Sequence, residues 1–451
     1  MRLMRLGEQC QGSAGLLKQV CATRMRASSR VLRVRGGWRG SLRYVAPPSK
    51  SYSHRSLLIS AVSNGVSRIT GLSRCDDVEA TLRALSLLGV PVGFSSSEII
   101  VEGSEFRNPE APIDCGGSAS TLRMLSPIVA AKPSYAVYTG DESLRKRPVR
   151  MLEEAFTSLG VEAYSDEGRP PLTVKSSGFR STRVVLDASD SSQHVSGFLI
   201  AGARLGGGFT IVLKNSILVS KPYVDLTMRM LRMHGVESCF EAGGLRIEPG
   251  ELKSFNHAVP GDYSLSSIPL AMAALSGGRA TVEGLVDEPQ PDREVVDRLR
   301  EMGLGVEWSG NTLIAENPGR LKACVLDCSD NPDLVPALAL VATAAEGTTV
   351  LKGVGRLEVK ESMRATLIVE GLSNMGVKTV FKGEEMIVEG PCRLKGSTVD
   401  AGGDHRIEMM LIAAGALADG ETTIVNAGSV SKSNPGFYSW LKEAGVEFQW
   451  V

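Results

Sequence analysis

The chain has 451 residues, too many for one ordinary core at roughly 100–200 residues per domain, so it should hold two or more domains. Apolar residues make up 43% and charged residues 22%, with 50 basic side chains balancing 50 acidic ones, an ordinary globular composition. That balance leaves no bulk field favouring DNA, RNA or a membrane surface, so any anion site must come from local clusters of Lys and Arg.

At the N-terminal end, Arg2, Arg5, Lys18 and Arg24 stand against a single acid, Glu8, with no structural period. Arg-rich, acid-poor starts suit an organelle-targeting leader, but a disordered extension is the plainer reading, as is an assigned start upstream of Met25. Residues 1–27 are read as a disordered extension and set aside from the fold. None of the eight cysteines forms a C-x-x-C pair, so they read as idle thiols rather than a zinc or redox site. No apolar run reaches the roughly 18 residues needed to cross a bilayer.

Two helix-to-strand signatures then alternate along the chain. The first is a helix ending in Leu or Met, a Gly, and a short alternating strand, with its glycines at Gly89, Gly160, Gly235, Gly303, Gly376 and Gly445. A Gly there supplies a left-handed cap and lets the chain turn directly into a strand. The second is an Ala- and Leu-rich helix, a small turn and a β-branched strand, seen in Leu57–Thr70, Leu125–Tyr138, Phe198–Leu213, Leu270–Val282, Leu338–Val350 and Met410–Val425. Together they give six repeated βαβαββ-type units of roughly 70 residues in an α/β (α+β) chain, three units per domain. The apolar second helices should be buried among one another, and the more charged first helices should lie outside.

Cation-bearing turns recur at matching places in these units. Lys50, Ser51, Ser53, His54 and Arg55 precede the apolar helix at Leu57, and a helix start with hydroxyls and cations is a ready anion site. His54 reads as a packing or hydrogen-bonding group rather than a base. Further along come Arg145-Lys146-Arg147-Pro148, Ser220-Lys221-Pro222, Lys360-Glu361-Ser362-Met363-Arg364, Asp404-His405-Arg406 and Ser431-Lys432-Ser433. Taken singly each is a solvated loop; equivalent ends of repeated units, however, come together in space. Converging Arg and Lys match phosphates and carboxylates. Asp333 and Glu361 are the acids placed to move protons among them, although Glu361 alone would read as an ion pair with Arg364 three residues on.

These motifs, in this order from Val45 to Phe448, resemble the EPSP synthase family: Ser49-Lys50-Ser51 with Ser53-His54-Arg55, Gly140-Asp141, Arg147-Pro148, Ser191-Ser192-Gln193, Ser220-Lys221-Pro222-Tyr223, Gly261-Asp262, Asn331-Pro332-Asp333, Lys360-Glu361-Ser362 with Arg364, Asp404-His405-Arg406 and Lys432-Ser433 with Pro435. The resemblance implies an enolpyruvyl transferase fold of two domains, 28–48 plus 259–451 and 49–258, with the ligands in the cleft between them. The chain should cross near Pro47–Ser49 and again near Ala258–Gly261.

The resemblance also implies that Ser51, Arg55, Ser191, Ser192, Gln193, Ser220, Asp333 and Lys360 hold shikimate 3-phosphate. Lys50, Ala119, Arg123, Arg147, Gln193, Arg364, Arg406 and Lys432 would face phosphoenolpyruvate, and Lys50, Asp333 and Glu361 would carry the proton transfers. No metal or cofactor, nucleic acid or membrane is implied, and a cytoplasmic monomer acting on two small molecules is expected.

One motif departs from the family's pattern. In place of Asn-x-Gly-Thr-x-x-Arg the chain has Gly117-Ser118-Ala119-Ser120-Thr121-Leu122-Arg123, so the Asn is lost and Ala119 adds a Cβ at the usual Gly. That methyl should narrow the phosphoenolpyruvate pocket and weaken inhibition by glyphosate. A UDP-N-acetylglucosamine enolpyruvyl transferase is the closest rival, but that family has Asn where this chain has Ser51, and lacks the Ser191-Ser192-Gln193 and Ser220-Lys221-Pro222 hydroxyls. An RNA-processing protein of related subdomains is more remote, since aromatics are only 5% and net charge is zero.

Overall fold

The six helix ends marked by glycine all close in the same way. In the computed structural model, which describes residues 30–95 and 97–451, Gly89, Gly160, Gly235, Gly303, Gly376 and Gly445 all have φ between 73° and 94°. The residue after each Gly returns a backbone hydrogen bond to the carbonyl five positions earlier: Val90 to Leu85, Val161 to Phe156, Val236 to Leu231, Leu304 to Leu299, Val377 to Leu372 and Val446 to Leu441, at 2.9–3.0 Å. This 6→1 bond satisfies an orphan helix carbonyl and holds the left-handed turn that L-residues resist. The N-terminal segment, with Cys10, Cys21 and Met25, lies outside the described residues.

The chain has the mixed α/β fold with six small sheets that the repeat implied, and all six share one strand order. In one unit with no long-range complement, strands Arg183–Ala188 and Phe209–Leu218 pair in parallel. Gly244–Ile247 then pairs antiparallel with Phe209–Leu218, and Ser238–Glu241 pairs antiparallel with Gly244–Ile247 at the edge. Three units are completed from afar, one of them the sheet of Arg279–Glu283, which takes Leu42–Val45 as its parallel neighbour. Strand Val66–Thr70 takes its parallel neighbour from His257–Ala258, and the sheet of Thr398–Asp400, Glu421–Ala427 and Phe448–Trp450 receives Arg30–Arg35 between its last two strands.

Six apolar helices, Lys50–Ala61, Ala119–Ala130, Ser192–Leu205, Tyr263–Ser276, Val335–Ala342 and His405–Leu417, are buried almost end to end. Ala119–Ala130 packs on Lys50–Ala61 and Ser192–Leu205, while the later three pack on one another. The outer helices bury one stripe each; Arg150–Ser158, for example, buries only Leu152, Ala155 and Phe156. Buried apolar side chains form two clusters, one drawn from Leu32 to Ala46 and Tyr263 to Val446, the other from Tyr52 to Val259.

Between the clusters two strands of chain run side by side. Ser49 N–H donates to the Pro260 carbonyl and Asp262 N–H to the Pro47 carbonyl, both at 2.8 Å. Further contacts join the two parts across a cleft, among them Tyr223 Oη to Asp292 at 2.7 Å and Arg147 to Glu361 at 2.8 Å. Among the described residues no helix is long and apolar enough to cross a membrane.

Candidate active site

The buried helices start with caps that their sequences dictate. Ser118 Oγ accepts from Thr121 N–H at 3.2 Å, Ser191 Oγ from Gln193 N–H at 3.2 Å, Asp262 from Leu265 N–H at 3.0 Å and Asp404 from Arg406 N–H at 2.9 Å. Five of the six starts open on one cavity, through Lys50 and Ser51, Ala119 and Ser120, Ser191 to Gln193, Pro332 and Asp333, and His405 and Arg406. Each brings the positive end of a helix dipole and spare N–H groups, so the cavity is biased toward anions before any side-chain charge is counted.

Side-chain charge reinforces that bias. Seven cations, Lys50, Arg55, Arg123, Arg147, Arg356, Lys360 and Arg406, line the cavity with only four carboxylates, Asp77, Asp190, Asp333 and Glu361. Lys50 Nζ meets Asp77 at 3.0 Å and Arg123 meets Asp190 at 3.5 Å. Arg147 meets Glu361 at 2.8 Å, and Arg406 meets Asp333 at 2.7 Å.

Burial pushes the Asp333 carboxyl up, but Arg406 and Arg364 outweigh it and hold the group far below the usual range, so Asp333 is ionised, the form a base requires, and is a weaker base than a free carboxylate. Glu361 is likewise raised by burial and overcome, by Arg147 first and Arg364 second, and is held well below its ordinary value. Desolvation pushes Lys360 down to about 8, with Asp333 pulling the other way. His54 is pushed down to about 3 by burial and exchanges a 2.8 Å hydrogen bond with Thr81 Oγ1, so it packs as a neutral ring.

The cavity wall gathers Lys50, Ser51, Arg55, Ala119, Arg123, Arg147, Ser191, Ser192, Gln193, Ser220, Asp333, Lys360, Glu361 and Arg406 from distant parts of the sequence. Gln193 Nε2 donates to Ser120 Oγ at 2.8 Å, which orients the amide over the start of helix Ala119–Ala130. Ser220 sits at φ 50°, an uncommon conformation for a non-glycine residue, and its hydroxyl accepts from Arg356 at 2.6 Å.

Arg364 and Lys432 are not on that wall. Arg364 is 1% exposed and fully committed, Nε to Asp404 at 3.0 Å, Nη1 to Asp333 at 2.9 Å and Nη2 to Glu361 at 2.7 Å. It therefore stands behind the two acids and reaches the cavity only through them. The ion pair with Glu361 read from the i, i+3 spacing is present, and the same Glu361 also faces the cavity.

Lys432 lies beside the departure at Gly117. A Cβ built on Gly117 would fall 2.6 Å from Lys432 Nζ and 2.8 Å from an Asp141 oxygen, both ends of side chains.

Sequence reasoning missed Asp77, Asp190 and Arg356 on the cavity wall. Asp77 opens helix Asp76–Leu87 beside another acid, which looks like ordinary dipole stabilisation. Arg356 lies four residues before Lys360 in the turn Gly355–Val359, a spacing that signals it once the turn is known to be helical.

The EPSP synthase (3-phosphoshikimate 1-carboxyvinyltransferase) family model matches residues 39–441. The chain belongs to the EPSP synthase family. The 3-phosphoshikimate 1-carboxyvinyltransferase of Methanocella arvoryzae is 38% identical over 413 residues, covering 90% of this chain and 96% of the relative. The one from Aeropyrum pernix is 37% identical over 410 residues, covering 91% and 94%. Among solved structures, an EPSP synthase from Acinetobacter baumannii superposes with a TM-score of 0.77 at 27% identity, covering 94% of this chain and all of that one. As in other members of the EPSP synthase family, the chain is read as a transferase.

Proposed function

We propose that this chain transfers the enolpyruvyl group of phosphoenolpyruvate to the 5-hydroxyl of shikimate 3-phosphate, releasing phosphate, as a step toward aromatic amino acids. The observation that carries this reading is the convergence of the hydroxyls Ser191, Ser192 and Ser220, the ionised Asp333 and seven cations on one cavity. Shikimate 3-phosphate lies against Ser51, Arg55, Ser191, Ser192, Gln193, Ser220 and Lys360. Phosphoenolpyruvate lies against Lys50, Ala119, Arg123, Gln193, Arg147 and Arg406, with Lys432 adding charge from behind Gly117.

Asp333 takes the proton of the 5-hydroxyl as its oxygen attacks C2 of phosphoenolpyruvate, and a proton reaches C3 from the side of Glu361 and Lys50. A proton then leaves C3 as phosphate departs, which restores the vinyl bond. Glu361 is paired with Arg147 at 2.8 Å and Arg364 at 2.7 Å, which favours its ionised form. An incoming phosphate competes for Arg147, weakens that hold and raises the Glu361 carboxyl toward a form that can donate. Fixed cations and helix ends stabilise the charge that moves among carboxylate, phosphate and the oxocarbenium-like carbon, without solvent rearrangement.

The two core clusters support a division into domains 28–48 plus 259–451 and 49–258, with closure of the cleft part of turnover. A monomer acting in the cytoplasm completes the reading.

The test is phosphate release from phosphoenolpyruvate with shikimate 3-phosphate as acceptor and UDP-N-acetylglucosamine as competitor. Release that depends on shikimate 3-phosphate and ignores the sugar nucleotide is expected. Preference for the sugar nucleotide would overturn the assignment.

A further inference from the structure

Asp190 and His194 flank the Ser191-Ser192-Gln193 motif, one just before helix Ser192–Leu205 and the other in its first turn, and the proposed reaction uses neither. Asp190 stands between two basic side chains without closing on either. Its Oδ2 is 3.5 Å from Arg123 Nη2 and its Oδ1 is 3.5 Å from His194 Nε2. A made charge-assisted bond is shorter, at roughly 2.7–2.9 Å. Asp190 Oδ1 and both ring nitrogens of His194 are buried and have no hydrogen-bond partner among the described residues. The His194 side chain is 0% exposed, so bulk water does not satisfy the ring.

Arg123 is held just as loosely. Its Nη1 donates to Gln193 Oε1 at 3.4 Å, and its Nη2 to the Pro148 carbonyl at 3.3 Å and to Asp190 at 3.5 Å. Buried polar groups are nearly always paired, so three unpaired atoms around one loose ion pair point to a second arrangement that pairs them. That arrangement follows when an anion reaches Arg123. The anion takes the guanidinium and repels Asp190, whose other ion-pair partner among the described residues is His194. The charges facing the ring act in the same direction. Burial holds the His194 pKa down, Asp190 pulls it up, Arg123 pushes it down, and Asp187 adds a smaller pull up. Burial pushes Asp190 up in turn, but His194, Arg123 and, from the other side of the cleft, Lys360 hold it at about 2. An anion that cancels the charge of Arg123 removes a push against the imidazolium and drives Asp190 toward the ring, so its binding raises the ring's affinity for a proton.

We propose that Asp190 is a displaceable counter-ion for Arg123, and that His194 is the positioning residue that receives it when the donor's anionic group arrives. This rests on the reading above that phosphoenolpyruvate lies against Arg123. One loose pair is exchanged for two made ones, the anion with Arg123 and Asp190 with His194, and no covalent bond changes. Without the imidazole, Asp190 has nowhere to go and competes with the anion for the same guanidinium.

The experiment reads the ring directly. The chain has five histidines, so nuclear magnetic resonance of the full chain with isotope-labelled histidine, assigned with H194Q, resolves His194. Inorganic sulfate is the first probe, because it stays a dianion and brings no proton of its own near neutral pH; phosphoenolpyruvate without acceptor is the second. Either anion at saturation should shift the His194 ring signals and raise the ring's titration midpoint by about one pH unit or more. D190N should abolish that response. A ring that answers neither anion, as one satisfied by a trapped water would behave, overturns the proposal.

Turnover supplies the second measurement. H194F should raise KM for phosphoenolpyruvate roughly 10-fold, the low end for a hydrogen bond to a charged group, with a much smaller effect on kcat. The double variant D190N/H194F removes the competitor and should bring KM back to within about threefold of wild type. Loss of packing around the ring would not be rescued in this way, so a KM that stays high in the double variant also refutes the exchange. A wild-type chain whose His194 answers sulfate but which releases no phosphate sinks the proposed reaction and leaves the exchange standing, whereas normal turnover with a silent ring sinks the exchange alone.

Discussion

Replacing Arg364 with Met removes the guanidinium shared by Asp333, Glu361 and Asp404, which it meets at 2.9, 2.7 and 3.0 Å. The side chain of Asp404 is 0% exposed, so water cannot take over the lost charge there, and Glu361 at 11% and Asp333 at 25% are reached only in part. Asp404 keeps hydrogen bonds from Ser362 Oγ at 3.1 Å and Arg406 N–H at 2.9 Å, but loses its ion pair with Arg364. Removing one partner of a buried ionic cluster costs about 3–5 kcal/mol, and we expect R364M to lose that much in urea denaturation near neutral pH.

The loss should depend on pH in a definite sense. Burial raises the carboxyls of Asp333 and Glu361, but Arg406 and Arg364 for the first, and Arg147 and Arg364 for the second, hold them below their unfolded values. Such groups contribute stability above the unfolded pKa of about 4 and lose it as pH falls through the folded pKa. R364M forfeits part of that contribution, so the gap to wild type should be widest above about pH 5 and narrow as pH falls below roughly 4. A lysine, with one compact ammonium, should not rescue three carboxylates. A loss under about 1 kcal/mol, or a gap constant through this range with only KM for phosphoenolpyruvate raised, would place Arg364 on the substrate and refute the hub.

Three further outcomes are expected. Lys50→Ala and Glu361→Ala should each lower kcat at least roughly 100-fold in the phosphate-release assay, and near-normal turnover in either removes that residue from the mechanism. Because Lys360 is pushed down to about 8 by desolvation, kcat/KM for shikimate 3-phosphate should fall as pH rises through about 8, where the ammonium is lost. K360R should abolish that limb, and a limb that persists in K360R belongs to another group. Ala119 is 3% exposed on the cavity wall, so Ala119→Gly should strengthen inhibition by glyphosate; unchanged inhibition would end the steric argument.

Much of the site was legible because each anion-binding element is local. Ser118, Ser191 and Asp404 announce helix starts by their own capping chemistry, and Lys50, Gln193 and Arg406 lie within two residues of such a start. Asp77, Asp190 and Arg356 were not legible. Each resembles an ordinary surface charge until the fold sets Asp77 against Lys50 of the preceding helix, and Asp190 and Arg356 against Arg123 and Ser220 from another unit.

What the sequence determined alone was the repeat. A glycine cap, an apolar helix and a β-branched strand are recognised over ten or so residues, and six copies imply six like sheets before any contact is known. Tertiary structure decided which strand completes which sheet, as with Arg30–Arg35 entering beside Phe448–Trp450, and His257–Ala258 joining Val66–Thr70. It also decided that Arg364 belongs behind the acids and not on the cavity wall. Short-range propensities are written in neighbouring residues, whereas strand partners and charge pairs hundreds of residues apart are fixed only when burial forces every ladder and every buried charge to find its complement.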